Sequence, residues 1–243
     1  RHAFSLPKLT NFLRTSPCFK NTEILKKYDK ALRVALISIL NVGMEDPSWE
    51  QCSLPVRMGG LGIRTASEVS LPAYLSSVSA TFECITPLLP TYLRNDVNPF
   101  FTQAIFQWSN LLSGEDLPVL KSVQAAWDMP LCKKRFENLL QSANTDEDKA
   151  RLRAVSSEHA SDWLNCVPLP SMSLKLNRQT LRIAVALRLG SKICKSHKCH
   201  CINKDTKQPN TVDIKGLHGL SCASAGGKGR IARHDRANDL IQR

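Results

Sequence analysis

The sequence predicts a mainly α-helical protein, in which a helical bundle is followed by a small Cys/His-rich module and the start of a basic helix. Apolar residues recur at helical spacing over long stretches, while strand-like alternation is weak throughout. Four Cys and His side chains fall in two close pairs near the C-terminal end. The positive charge is concentrated in the same part of the chain.

Length and composition indicate a globular protein. The chain has 243 residues, enough for one large or two small domains, and 42% of them are apolar. No run approaches the roughly 18 apolar residues that a membrane span needs. The chain begins at Arg1 without the apolar core of a signal peptide, so we expect a piece of a longer protein without a membrane partner.

The nine cysteines predict an intracellular, reducing compartment, because an odd number without a signal peptide argues against a secreted disulfide framework. Five are widely spaced among apolar neighbours, and we expect them to be reduced core residues. These five are Cys18, Cys52, Cys84, Cys132 and Cys166.

The first long helix is predicted over residues 22–40. Thr22 is expected to cap its N-terminus, and Asn41 with Gly43 to end it. The apolar positions that define it are Ile24, Leu25, Tyr28, Leu32, Ala35, Leu36, Ile39 and Leu40.

Three glycines within residues 59–63 predict a tight turn that places Leu61 and Ile63 against the core. A helix is expected from about 66 to 84, with Pro72 as its start or as a kink. The next stretch is interrupted by prolines and predicts shorter helices.

Further helices are expected at 101–112 and 119–127, followed by a helical pair over 131–164. Thr145 with Asp148 fits a capping box for the second helix of that pair. Beyond Pro168 and Pro170 a basic helix is predicted over 178–189, with Asn177 as its cap and Gly190 as its stop. It carries Arg178, Arg182 and Arg188.

The charge is unevenly distributed. Residues 171–243 contain 15 Lys and Arg against 4 Asp and Glu, whereas residues 1–170 contain 18 against 17. Such an asymmetry favours a polyanionic partner, for which nucleic acid is the usual candidate. A merely solubilising surface is the alternative.

The two Cys/His pairs predict a metal site. Cys199 and Cys201 are followed, after sixteen residues, by His218 and Cys222. Zinc prefers four such ligands, and one helical turn places His218 and Cys222 on one face. Four protein ligands leave no place for a reactive water, so the site is expected to be structural. A loop with free thiols is the alternative.

The pair Cys199/Cys201 is closer in sequence than in most zinc sites, in which at least two residues separate the cysteines. Another side chain near it is therefore a candidate to replace one ligand. The candidates are Cys194, His197 and His200.

The glycine-rich segment that follows the second pair leads into a basic helix, and such a segment can bind phosphate through its backbone N–H groups. The candidate contacts are Lys228, Arg230, Arg233, His234 and Arg236. A solvated helix face is one alternative. The other is nuclease chemistry around His234, Asp235 and Asp239.

Several motifs occur together in a characteristic order: FLRTSPC at 12–18, LPVRMGGLGIR at 54–64, RIAVALRLG at 182–190, the Cys/His pairs, and RHD at 233–235. Nearly the whole chain thereby resembles the region that follows the polymerase palm in non-LTR retrotransposon reverse transcriptases of the restriction-like-endonuclease class.

The resemblance implies three segments: a thumb-like helical region over 1–65, a helical linker over 66–170, and a basic region over 171–243. The last would contain a CCHC zinc knuckle at about 194–222 and the start of an endonuclease-like segment. Cys199, Cys201, His218 and Cys222 match the knuckle, with the tight C-x-C as a departure. Arg233 and His234 match an Arg-His element.

The resemblance also implies a function. The family's knuckle and linker position template RNA and target DNA for target-primed reverse transcription, in the nucleus. The expected partners are RNA, DNA, an upstream palm and a downstream nuclease, and Mg²⁺ belongs only to those two domains. This sequence lacks a YxDD-type aspartate pair and a complete nuclease motif, so we do not expect it to be catalytic by itself. Part of an endonuclease, or a purely structural zinc-tied scaffold, are the alternatives.

Overall fold

The protein is mainly α-helical, as predicted. The computed structural model describes residues 6–91, 99–114, 116–172, 174–203 and 206–222. The chain divides into two compact units, Arg1–Lys175 and Leu176–Arg243. No helix in the described part of the chain is long and apolar enough to cross a membrane.

The first unit is built from helices alone among its described residues. In chain order they are α1 (Leu6–Thr15), α2 (Thr22–Leu40), α3 (Asp46–Ser53), α4 (Ala66–Ile85), α5 (Pro99–Leu111), α6 (Gln124–Ser142), α7 (Asp146–Ser156) and α8 (Asp162–Asn165). Short 3-10 turns at Cys18–Lys20, Val56–Met58, Thr86–Leu88 and Pro170–Met172 complete it.

Helix α4 lies at the centre of this unit. Most of its side chains are small or apolar, so other helices can pack against it on several sides. Leu71 to Ser76 are all buried, including Pro72 inside the helix. It packs against α1, α2, α5 and α6. The segments 1–65 and 66–170 therefore share one core.

The two largest fully buried side chains among the described residues are tryptophans, and they contact each other in this core. The rings of Trp108 and Trp127 meet edge to face, with their centroids 5.2 Å apart. Each indole N–H finds a backbone acceptor: Trp108 Nε1 donates to the Trp127 carbonyl at 2.9 Å, and Trp127 Nε1 to the Lys121 carbonyl at 2.7 Å. Both polar atoms are thus satisfied although the rings are almost fully buried.

The glycine turn is present as predicted. Gly59 and Gly62 have φ angles of +83° and +69°, which favour glycine because it lacks a Cβ. Gly60 is needed for a different reason: a Cβ there would lie 2.0 Å from the Leu54 carbonyl oxygen. The turn buries Leu61, while Ile63 is only half-buried.

Most predicted helix ends are confirmed. Asn41 ends α2 with a φ of 50°, and the Thr145 hydroxyl accepts the Asp148 N–H at the start of α7. Thr22, however, is the first residue of α2 rather than its cap, which is Asn21. The expected helix at 119–127 is also wrong in extent, because α6 begins only at Gln124.

The expectation that the first five cysteines lie in the core is wrong for two of them. Cys52 and Cys132 are buried, and burial raises the pKa of the Cys52 thiol to about 12. Cys84 and Cys166 are exposed, and Cys18 is half-buried. Apolar neighbours in sequence do not place a residue on the inner side of a helix.

The second unit begins with helix α9 (Arg178–Leu189), capped by the Asn177 side chain and ended by Gly190 with a φ of 65°, as predicted. A two-stranded antiparallel hairpin follows, β1 (His197–Ile202) and β2 (Pro209–Val212), and then the short helix α10 (His218–Ser221). The hairpin was not predicted, and it carries half of the candidate metal centre.

Candidate metal centre

Strand β1 explains the tight C-x-C spacing. Side chains two residues apart lie on the same face of a strand, so Cys199 and Cys201 both point to the inner side of the hairpin. Burial alternates accordingly: Cys201 is buried and Cys199 half-buried, whereas His200 between them is exposed. The register of the pairing with β2 shifts between Lys198 and Ile202, in the segment that contains the two cysteines.

The loop before α10 positions the other two ligands. The Asp213 carboxylate accepts the backbone N–H groups of Lys215 at 3.2 Å and Leu217 at 2.9 Å. Gly216 takes a φ of 67° within this turn. His218 then begins the helix, and Cys222 follows its last residue, so the single turn of α10 brings both side chains to the hairpin.

The four predicted ligand atoms converge. The three thiol sulfurs and a ring nitrogen of His218 all lie within 4.8 Å of one another. The Cys199 and Cys222 sulfurs are 3.6 Å apart, and Cys201 Sγ lies 3.1 Å from His218 Nε2. A tetrahedral zinc ion with Zn–S bonds of about 2.3 Å would hold two sulfurs about 3.8 Å apart. A disulfide would need about 2.05 Å.

The chemistry of the donors also fits a cation. The backbone N–H of Cys201 lowers the pKa of the Cys199 thiol, but hydrogen bonds with the Cys201 and Cys222 thiols, together with burial, raise it by more. A bound cation stabilises the deprotonated form of such thiols and therefore binds them as thiolates. The four side chains can therefore hold a metal ion, and the donor set is compatible with zinc.

Asn210 contacts the cluster and was not among the predicted site residues. Its Nδ2 atom donates to Cys201 Sγ at 3.1 Å from the neighbouring strand. Such a donor orients a sulfur ligand and stabilises its negative charge. The sequence offers little signal for Asn210, because β2 spans only the four residues Pro209–Val212, too few for a periodic pattern.

The alternative ligands lie outside the cluster. Cys194 Sγ is directed at the Asp213 carbonyl oxygen, 3.3 Å away. The ring of His197 is exposed, and its Nδ1 atom contacts the Lys195 carbonyl oxygen at 2.8 Å. His200 is exposed on the opposite side of β1 from the cysteines. The predicted set Cys199, Cys201, His218 and Cys222 is the one brought together among the described residues.

The basic residues of α9 do not form one exposed face. Arg178 is exposed at the first turn, and Arg182 is half-buried with its guanidinium donating to the Ile193 carbonyl at 2.9 Å. Arg188 is only 4% exposed, and burial lowers its pKa. A side chain buried to this extent exposes little of its charge to solvent, and contact of Arg188 with nucleic acid stays a prediction.

The other predicted nucleic-acid contacts and the possible nuclease residues lie outside the described residues. They are Lys228, Arg230, Arg233, His234, Asp235, Arg236 and Asp239.

No family model, curated protein or solved structure matches the chain. Fold and site together define a mainly helical protein whose second unit contains a three-cysteine, one-histidine cluster suited to a metal ion.

Proposed function

We propose that the cluster binds a structural zinc ion. Cys199, Cys201, His218 and Cys222 supply four donors, which complete a tetrahedral shell and leave no open position for a substrate or a reactive water. The ion would join the hairpin to α10. Chain segments with so small an apolar core commonly owe their folding to such a metal.

We further propose that the chain is a nucleic-acid-binding segment of a non-LTR retrotransposon reverse transcriptase, acting in the nucleus. The observation that carries this proposal is the position of the assembled Cys₃His cluster within the strongly basic last third of the chain. The order of the FLRTSPC, GGLGI, Cys/His and RHD motifs supports it. The segment would position template RNA and target DNA beside an upstream palm and a downstream nuclease.

Binding would be mostly electrostatic. Exposed Arg178 and the solvent-facing part of the basic region would contact phosphates, and release of counterions would make affinity fall steeply with salt. Sequence preference would be weak, because basic side chains contact the backbone more than base edges. Catalysis, and the Mg²⁺ it requires, would belong to the other domains of the parent protein.

Fluorescence anisotropy of the zinc-loaded chain with labelled RNA and DNA tests this proposal. Affinity should drop strongly between about 50 mM and about 200 mM salt. The Arg178→Gln variant should lower the slope of log K against log salt by about 1. Lys30→Gln, which removes an exposed charge from α2 in the first unit, is the matched control and should leave the slope unchanged. Equal affinity at both salt concentrations would contradict nucleic-acid binding.

A structural scaffold is the second candidate, favoured by the way the cluster ties β1 to α10. In that case zinc would be present at one ion per chain, yet neither RNA nor DNA would bind. A nuclease is the third reading, and purified chain with Mg²⁺ would then nick plasmid DNA unless His234 were replaced by Ala.

A further inference from the structure

The hairpin has an outer face, opposite the metal centre, to which the proposed function assigns no role. Strand alternation that turns the cysteines inward turns the intervening side chains of β1 outward, and these are exposed. Their neighbours on β2 are exposed as well. We define the outer hairpin face by Lys198, His200, Ile202, Pro209 and Thr211.

The face is held in one conformation by the strand pairing. Lys198 lies opposite Thr211, and its ammonium group donates to the Thr211 hydroxyl at 2.8 Å. Ile202 lies opposite Pro209. The surface therefore consists of an apolar pair toward the loop end, a polar pair toward the start of β1, and the His200 ring on the strand between them.

Its charge selects an anionic partner. Lys195 before β1, Lys198 within it and Lys207 in the loop are exposed along the length of the hairpin. Asp213 is the acidic residue in the described part of this unit, and its carboxylate is occupied with the backbone N–H groups of Lys215 and Leu217. Among the described residues of the hairpin, a chain of phosphates would meet positive charge without an opposing carboxylate.

The uncharged side chains distinguish single strands from duplexes. Ile202 is 64% exposed, and neither it nor Pro209 can hydrogen-bond a base edge. The faces of bases are hidden by stacking in a duplex but open in a single strand, where flat and apolar side chains bind them. An imidazole ring beside an Ile–Pro pair thus suits unstacked bases better than a helical groove.

We propose that the outer hairpin face binds single-stranded nucleic acid, with bases against His200, Ile202 and Pro209 and phosphates near Lys195, Lys198 and Lys207. This inference rests on the proposed nucleic-acid-binding function and deepens it. Strand β1 would then bind on both of its faces: the inner face would hold the metal ion, and the outer face would contact single-stranded nucleic acid. RNA and DNA single strands share the chemistry that the face recognises.

The test uses the full zinc-loaded chain with a labelled single-stranded RNA, the same sequence as single-stranded DNA, and the corresponding DNA duplex. Wild type should bind both single strands more tightly than the duplex. The double variant His200→Ala/Ile202→Ala should bind the single strands about tenfold or more weakly, because it removes the ring and the apolar side chain against which bases would lie. Its zinc content and its duplex affinity should stay those of wild type.

The matched control is His197→Ala/Ile214→Ala, which removes the same two side-chain types from exposed positions off the outer hairpin face. It should retain wild-type single-strand affinity. Unchanged single-strand binding by the His200/Ile202 variant, or an equal loss in the control, would overturn the inference while leaving nucleic-acid binding intact. A wild-type chain that holds zinc but binds none of the three probes would overturn the proposed function as well.

Discussion

Cys201 is the most buried of the four candidate ligands, with 3% of its surface exposed. Its sulfur lies 3.1 Å from both the His218 ring and the Asn210 amide. Cys194, seven residues earlier, is half-buried and directs its sulfur at a backbone carbonyl instead. Two cysteines close in sequence therefore have different environments, and only one of them faces the cluster.

Replacing Cys201 by Ser should abolish stoichiometric zinc binding, because it removes one of four ligands from a closed site. Metal analysis of the purified variant measures this. Cys194→Ser is the matched control and should keep one zinc per chain. Loss of zinc in Cys194→Ser with retention in Cys201→Ser would mean that the ligand set is the alternative one.

At Gly60 the absence of a Cβ atom allows the chain to form the turn after α3. A Cβ at this position would meet the backbone of Leu54, at 2.0 Å from the oxygen and 2.5 Å from the carbon. Backbone atoms of a buried residue cannot move aside as a flexible side chain does. The turn after α3 therefore requires glycine here even though the φ angle of Gly60 is not in the left-handed region.

Gly60→Ala should lower the free energy of unfolding by about 2 kcal/mol or more, as overpacking does in a core that cannot relax. Gly43→Ala should change it by less than about 1 kcal/mol, because nothing lies within 4 Å of its Cβ position. Urea denaturation of both variants measures the difference. Similar free energies of unfolding for the two variants would show that the turn accommodates the added methyl group at Gly60.

Among the elements, α4 depends on a side chain from a different helix. Asp29 on α2 is buried, and its carboxylate accepts the backbone N–H of Ala66 at 2.7 Å and of Ser67 at 3.1 Å, as well as the Ser67 hydroxyl. A negative charge at a helix N-terminus is favoured by the helix dipole. Asp29 thus joins α2 to the start of the central helix.

Asp29→Ala should destabilise the first unit by about 2 kcal/mol or more, since buried N–H groups would lose their acceptors. Asp146→Ala is the control: this acid also lies in the first turn of a helix, α7, but its side chain is fully exposed and its ion pair with Lys149 spans 4.0 Å. That loss should stay below about 1 kcal/mol. Thermal unfolding followed by circular dichroism compares them.

How far the elements could be predicted depends on their length. Helix α2 repeats its apolar pattern over 19 residues, and its bounds were predicted correctly although its N-terminal cap was not. Strand β2 has four residues, and β1 carries two cysteines, two histidines and one lysine where a half-buried strand would show apolar alternation. The four candidate ligands were predicted from their chemistry, but the reason that the C-x-C spacing suits a cluster, two cysteines on one face of a strand, required the structure.

At the scale of the whole molecule, the chain divides into two units that are stabilised by different interactions. The boundary lies between Lys175 and Leu176, close to the change in charge that the sequence placed at 170/171. The first unit has buried tryptophans and leucines around α4. In the second, the described residues have few apolar side chains to bury, and the Cys/His cluster lies where the hairpin meets α10.

Removing zinc with a chelator should therefore loosen the second unit alone. Limited trypsin digestion should then cleave rapidly at Lys192, Lys195 and Lys198, while the helical signal of the first unit and its thermal midpoint remain. Mass spectrometry of the fragments locates the cuts. Equally fast cleavage within residues 6–91, or protection of the second unit without metal, would contradict the prediction that zinc stabilises the second unit alone.

The two-sided strand β1 has a thermodynamic consequence. If zinc binds the inner side of these six residues and a single strand binds the outer side, any coupling between the two binding equilibria is reciprocal. If zinc raises the affinity for a single strand by some factor, the single strand must raise the affinity for zinc by the same factor. Bound nucleic acid would then slow the loss of the metal to competing thiols, so the second unit would hold its metal most tightly while nucleic acid is bound.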